Sequence, residues 1–369
     1  MLLLIFAGLK KVFGKPAHPL PGSVLPEVTL LIPSYNEEKY VIEKVNNSLA
    51  LDYPADKLKI IWVTDGSTDN TLRILEGYPQ IRVMHDPERR GKIHAMNRGM
   101  KEVTTPVVVF TDANTMLNRE ALKEIVKPFS DQRTGCVTGE KRIADHGRQK
   151  AAGAGEGLYW RYESFIKKME SETGSVVGAV GEIFAIRTDL YEDVPEDTLL
   201  DDFTLSLQMI RKDYGIKYAP HAYGIETASL SVSEEVKRKI RIATGGMQSL
   251  ARMMDLLNPF KYGLLSFKYI SHKVLRWTLV PFAFPVVLLL NLCILFLPEP
   301  GNLYVVLFIL QGAFYIMAIA GRLLENIRTR MGFLFSPYYL FIMNYAVIVG
   351  FFRFVSGNYS VKWQKVMRT

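Results

Sequence analysis

Cysteine is scarce in this chain: Cys136 and Cys293 are the two among 369 residues. That excludes a disulfide framework and suits the main domain to a reducing compartment. Histidine is sparse too. The six are scattered, with no H-E-x-x-H or C-x-x-C pair, which argues against a zinc site. No zinc-finger, RRM or KH pattern accompanies the net charge of +8, so the chain is not read as a nucleic-acid binder. Residues 1–13 do not read as a secretory signal either. In residues 1–13 the apolar run comes before Lys10 and Lys11, and no small-residue cleavage site follows. That stretch reads as an interfacial or partial membrane helix. Pro16, Pro19, Pro21 and Pro26 then make a linker.

What the chain has in excess is apolar sequence at its end. Residues 277–297, 303–323 and 335–352 are each about long enough to cross a bilayer core. Pro281 and Pro285 would break a soluble helix but are tolerated in a membrane one. Basic residues cluster just before these stretches: Lys237, Arg238, Lys239, Arg241, Lys261, Lys268, Lys273 and Arg276. Beside membrane spans such a cluster reads as positive-inside bias and contact with anionic headgroups. Residues 258–273, with Lys among Phe, Tyr and Leu, read as an interfacial helix. The loop at 298–302 has no basic residue, whereas the loop at 322–330 has Arg322, Arg328 and Arg330. The preceding domain is therefore expected in the cytoplasm, with the protein integral to a bacterial-type inner or plasma membrane. Three full spans would put Lys362, Lys365 and Arg368 outside, against that bias, unless the third segment re-enters.

Before the tail, strand and helix patterns alternate. VTLLIP from Val28, then 57–64, 81–85, 106–112, 135–140 and 179–187, read as strands. Helical patterns cover 38–50, the stretch from Thr68, 92–101, 120–129, 153–172, 201–211 and 234–256. Continuous apolar strands between helices predict a doubly wound α/β sheet covered on both faces. Ligands of such sheets bind beyond the carboxyl ends of the strands, where Ser34, Asp65 and Asp112 stand.

The acidic motifs sit at those ends. Asp65, in TDGSTDNT, either makes a simple Asp–Gly turn or accepts from a nucleobase or ribose, while Ser67 and Thr68 cap the next helix. Asp69 is read as a first-turn helix charge. Asp112-Ala113-Asn114 offers two oxygen ligands flanking one turn, which suits a hard divalent cation on a diphosphate or an ordinary Asx turn. Of the adjacent Asp201 and Asp202, one is expected to serve the helix end and the other to act as a general base on an acceptor hydroxyl. Arg89-Arg90-Gly91-Lys92 opens a helix near phosphate or is a solvated turn. Arg238 and Arg241, three apart on one helical face, either grip a leaving diphosphate or contact lipid. Trp160 and Tyr162 either stack on a sugar or belong to the core.

In this order the motifs resemble a family 2 glycosyltransferase of GT-A fold, in the membrane-integrated branch of cellulose, chitin, hyaluronan and poly-N-acetylglucosamine synthases. The resemblance covers roughly residues 27–300. It implies that Pro33, Ser34, Tyr35 and Glu37, with Asp65, hold the uridine end of a nucleotide sugar. Lys92, in G-K-x-x-A-x-N, would lie near the nucleotide or its phosphates. Asp112 and Asn114 fall on the D-x-D positions for Mg²⁺ or Mn²⁺. Asp202 falls on the base of T-E-D, with Asp201 at the Glu position. Arg238 to Ile242 fall on Q-x-x-R-W. Asn114 carries one charge fewer than the Asp it replaces. Ile242 replaces the Trp that contacts acceptor sugar in processive synthases.

The implied protein is a membrane-bound, metal-dependent inverting transferase that moves a sugar from a nucleotide-diphospho-sugar, UDP-linked, to a growing polysaccharide. The alternatives are single transfer to a lipid-linked acceptor and a non-catalytic membrane partner of a synthase. Membrane lipids are expected partners, and three spans leave room for an export partner. The expected organisation is an apolar segment and linker at 1–26, the transferase domain at 27–257, the interfacial helix at 258–273, about three membrane helices at 274–355 and a basic tail at 356–369.

Overall fold

The computed structural model describes residues 25–144, 151–227, 231–323 and 332–360. The apolar segment 1–13, most of the Pro linker, Arg328, Arg330 and the basic tail from 361 lie outside the described residues.

Eight strands form one mixed sheet in the order β3-β2-β1-β4-β7-β6-β8-β5. They are β1 Val28–Ser34, β2 Leu58–Asp65, β3 Arg82–Asp86, β4 Val107–Phe110, β5 Met116–Leu117, β6 Thr134–Ile143, β7 Phe184–Arg187 and β8 Gly215–Glu226. The helices of the domain are α1 Glu38–Leu49, α2 Thr71–Leu75, α3 Lys92–Met100, α4 Ala121–Val126, α5 Ala151–Glu172, α6 Asp201–Arg211 and α7 Val232–Arg252. β1 pairs in parallel with β2 and β4, in the register Val28↔Leu58 and Val28↔Val107.

Successive strand side chains point to opposite faces, and both faces are apolar here. Leu31, Ile61 and Val63 enter a core shared with α3, α6 and α7. Leu30, Ile32, Ile60 and Trp62 enter a second core against α1 and α4. The doubly wound α/β reading therefore holds, with antiparallel pairing at β7 and at the β5–β8 edge. β7 runs antiparallel to both β4 and β6. It is also shorter than the pattern 179–187, because Gly178, at φ +91, and Gly181 belong to a loop that passes Phe203 and Asp202.

Below the domain come the short helices α8 Pro259–Tyr262 and α9 Leu264–Tyr269, a π-helical turn at Ile270–Val274 and α10 Leu275–Trp277. α11 Leu279–Leu295, α12 Asn302–Leu323 and α13 Gly332–Val355 follow. Among the described residues, two helical stretches are long and apolar enough to cross a membrane, Asn302–Leu323 and Ser336–Val355. A third span exists only if the bent pair Leu264–Trp277 and Leu279–Leu295, with 55° between its halves, counts as one. α13 docks directly on α7. Thr244 Oγ1 donates to the Gly350 carbonyl at 3.3 Å, and a Cβ on Gly350 would lie 2.6 Å from that of Ala243. The apolar tail thus braces the helix that carries Arg238 and Arg241.

The basic stretch departs from the lipid-headgroup expectation. Lys268, Lys273, Arg238 and Lys239 are buried. Lys273 and Arg276 bind Glu163 of α5 at 2.8 and 2.9 Å, and Lys268 donates to backbone carbonyls of Glu170 and Ser175. Carboxylates on α5 and α7 draw these cations inward, since a buried charge needs a partner. Segment 258–273 is therefore partly a seam between domain and tail, not only a lipid-facing helix.

Candidate active site

The loop after β1 is tied to the loop after β2. Asn36 takes a left-handed conformation, φ 54. Its Oδ1 accepts from the Thr68 amide at 2.7 Å, and its own amide donates to Ser67 Oγ at 3.1 Å. The Glu37 amide donates to Thr71 Oγ1 at 2.8 Å. Asp69 accepts from the amides of Glu38 and Thr71, so it is a structural anchor of the two loops. Ser67 and Thr68 therefore serve Asn36 and do not cap a helix, whose first residue is Thr71.

Asp65, fully buried at the end of β2, accepts from the amides of Arg90 at 3.0 Å and Gly91 at 2.7 Å. It holds the 88–91 loop over Gly66, where a φ of +65 and an Arg89 amide 2.7 Å from any added Cβ exclude a side chain. The Arg89 guanidinium lies 3.8 Å above the Tyr35 ring. Ser34 Oγ accepts from Trp62 Nε1 at 2.7 Å inside the sheet, and Pro33 is buried in β1. Asp65, Ser34 and Pro33 thus shape these loops from behind.

In front of them is a cavity of about 1190 Å³. Its walls bring together Glu37, Lys92, Asp112, Asn114, Asp201, Asp202, Arg238 and Arg241, drawn from five elements and their loops. Lys92 opens α3 after Gly91 and bridges two carboxylates, Asp112 Oδ1 at 2.8 Å and Asp201 Oδ2 at 3.0 Å. Burial pushes Asp112 up from the usual carboxylate range, against the pull of Lys92. Behind Asp112, the buried Lys44 of α1 donates to Thr111 Oγ1 at 3.1 Å and to the Thr115 carbonyl, fixing both sides of the turn.

Asp202 stands in the first turn of α6, where its Oδ1 accepts from the Phe203 amide at 2.8 Å. Burial, then the charge of Asp201, raises its carboxyl to about 7, and Lys92 opposes the rise. A Cβ on Gly181 would come within 3.3 Å of Asp202 Oδ2, so glycine there keeps that oxygen accessible. Arg238 is chelated by Glu235, at 3.0 and 3.1 Å. Arg241 donates to the Leu199 carbonyl at 3.3 Å and is drawn towards Asp201. Both arginines face the cavity rather than lipid.

Several cavity groups carry little signal in the sequence. Glu182 follows Gly181, and Glu226 ends β8; Lys141 joins them, at 2.7 and 2.6 Å. A glutamate at a strand end resembles any surface charge, and only the tertiary fold pairs it. An indole also stands close to Ile242. Trp277 lines the cavity, stacks edge-on to Phe203 at 5.3 Å and presses on Gly246, one turn beyond Ile242.

Among the described residues, no three His, Cys, Asp or Glu side chains converge in a metal cage. Asp112 and Asn114 still fit Mg²⁺ or Mn²⁺. Such an ion on a diphosphate takes few protein oxygens and fills its shell with phosphate and water. At Asp112, burial and the charges of Glu226 and Asp201 outweigh the pull of Lys92, so a further positive charge would be favoured there.

Parallel strands at the sheet's centre, carboxylates at their ends and the cavity beyond them define an α/β fold with a strand-end site. Residues 29–194 match the family described as Glycosyl transferase family 2. The chain is similar to the poly-beta-1,6-N-acetyl-D-glucosamine synthases of Staphylococcus aureus strain COL, 29% identical over 238 residues, and Staphylococcus epidermidis strain RP62A, 28% over 235. Both alignments cover 61% of this chain and 56% of the relative, so the chain spans little more than half the length of the relatives it matches. In fold it resembles a mannosyltransferase from Pyrobaculum calidifontis solved with GDP-Man and Mn²⁺. The TM-score is 0.70 at 22% identity, over 97% of this chain and 95% of the other. The fold is GT-A-like.

Proposed function

We propose that this protein is a membrane-bound inverting glycosyltransferase that moves a sugar from a nucleotide-diphospho-sugar, UDP-linked, to a growing polysaccharide. The observation that carries the reading is Asp202: a carboxylate of pKa about 7, open to a cavity that also holds Lys92, Asp112 and Arg241. A base poised near neutral pH suits proton abstraction from a hydroxyl. The synthase relatives support the polymer, and the Mn²⁺ of the mannosyltransferase supports a divalent ion.

In this reading Glu37 and Tyr35 form the nucleotide end, and Asp65, Pro33 and Ser34 hold its loops in place from behind. Lys92 and Arg241 face the diphosphate, and Arg238 reaches it by leaving Glu235. Asp202 takes the acceptor hydroxyl proton. The freed oxygen forms a bond to the anomeric carbon as the bond to the diphosphate breaks, and one displacement inverts the centre. Asp112 and Asn114 would hold Mg²⁺ or Mn²⁺, which when bound neutralises charge on the leaving diphosphate. The catalytic domain lies on the cytoplasmic side. Single transfer to a lipid-linked acceptor is the second reading, favoured by the apolar span residues Phe284, Leu340, Met343 and Val347 in the cavity wall.

The test is a panel of UDP- and GDP-sugars with Mg²⁺ or Mn²⁺ and purified protein in detergent. One donor should release its nucleotide, and the product's anomeric configuration should be opposite to the donor's. The size of the product separates polymer from single transfer. Retained configuration would defeat the single-displacement mechanism.

A further inference from the structure

Away from the carboxylate cluster, the cavity wall holds a second polar group. On α5, Trp160, Glu163 and Lys167 are spaced i, i+3, i+7 and share one helical face that lines the cavity. Three ammonium groups surround the Trp160 ring, at 5.2 Å for Lys141, 5.8 Å for Lys239 and 6.0 Å for Lys167. Lys141 is neutralised by Glu182 and Glu226, Lys239 by Glu235 at 3.6 Å, and the nearby Lys273 by Glu163. Lys167 differs. It is 4% exposed, yet among the described residues it has no carboxylate within ion-pair distance and no hydrogen-bond acceptor. Trp160 Nε1 is likewise buried without an acceptor.

Both facts point the same way. A largely buried ammonium with no partner in contact and a buried N–H without an acceptor each cost free energy, and one oxyanion would satisfy both. The location narrows its source. Trp160, Lys167, Glu182 and Asp202 line the same cavity, which sets this wall in the same chamber as the base. Span residues Phe284, Leu340, Met343 and Val347 line the same cavity.

We propose that Trp160 Nε1 and Lys167, with Lys239 beside them, form a subsite for a phosphate oxyanion on the acceptor, a glycan carried on an apolar phosphate-linked tail. This rests on the transferase reading of the cavity. The phosphate is an anchor, not the nucleophile. It docks against Lys167 while the tail lies along the span residues, which leaves the attacking hydroxyl to Asp202.

The test uses the full chain in a non-ionic detergent with saturating UDP, titrated with dodecyl phosphate or inorganic phosphate. Wild type, Lys167→Met, Lys167→Arg and Trp160→Phe are compared by calorimetry. Dodecyl phosphate should bind wild type and Lys167→Arg alike. It should bind at least tenfold more weakly to Lys167→Met and several-fold more weakly to Trp160→Phe, which loses the N–H but keeps an aromatic ring. UDP affinity should not change. Inorganic phosphate binding as tightly as dodecyl phosphate would overturn the apolar-tailed source. Equal dodecyl phosphate affinity in wild type and Lys167→Met, with UDP binding intact, would overturn the subsite. Failure of wild type to bind UDP would count against the transferase reading instead, since the dodecyl phosphate comparison is read independently.

Discussion

Replacing Lys92 by Met tests the electrostatic centre of the site. The Lys92 ammonium bridges Asp112 and Asp201, and the three side chains are 17%, 23% and 11% exposed. Its removal leaves two largely buried carboxylates without their shared cation. Breaking a buried pair on one side costs about 3–5 kcal/mol. For a domain of this size that corresponds to a fall in Tm of roughly 6–20 °C. The Lys92→Met, Asp201→Asn double variant should recover part of the loss, because one stranded charge goes with it. The assay is thermal unfolding in detergent of the two single variants, the double variant and wild type. A Lys92→Met protein that melts with wild type, or a double variant that melts at the sum of the two losses, would refute the reasoning.

Three further outcomes follow from the same geometry. Only ionised Asp202 accepts a proton, and its carboxyl lies at about 7, so turnover should fall as pH drops through that value. Because Lys92 lowers that pKa and Asp201 raises it, Lys92→Met should move the acid limb of a pH–rate profile up and Asp201→Asn should move it down; no movement in either would contradict the assignment. Gly350→Leu should force α13 off α7, where even a Cβ would sit 2.6 Å from Ala243, and lower stability by about 1–3 kcal/mol in a melting experiment. Glu163→Gln should destabilise more than a surface substitution, because Lys273 and Arg276 lose their buried carboxylate; an unchanged melting curve would argue against that seam.

The parallel centre of the fold was readable because β1, β2 and β4 are apolar on both faces, a pattern that survives without tertiary context. β8 was not. It contains Pro220, alternates with polar residues and pairs with β6 through two register shifts. β5 is two residues long and offers no period. At the site, the carboxylates at strand ends were visible by position, and the cavity gathers Asp112, Asp201 and Asp202. Asp65 was visible too, but its partners are backbone amides of a loop that no side-chain pattern reveals. Lys44, Glu182 and Glu226 read as ordinary surface charges until the sheet buries them. Lys273 and Arg276 looked lipid-facing because their partner Glu163 is identifiable only once α5 and the tail are packed together, whereas Glu235 pairs with Arg238 and Lys239 along α7 itself.

The most direct test of the central claim is sugar transfer by Asp202→Asn, measured beside UDP affinity in the same preparation. The account predicts that transfer falls by about 10²–10⁴ while UDP binds as in wild type. Transfer at the wild-type rate with the base removed would contradict it.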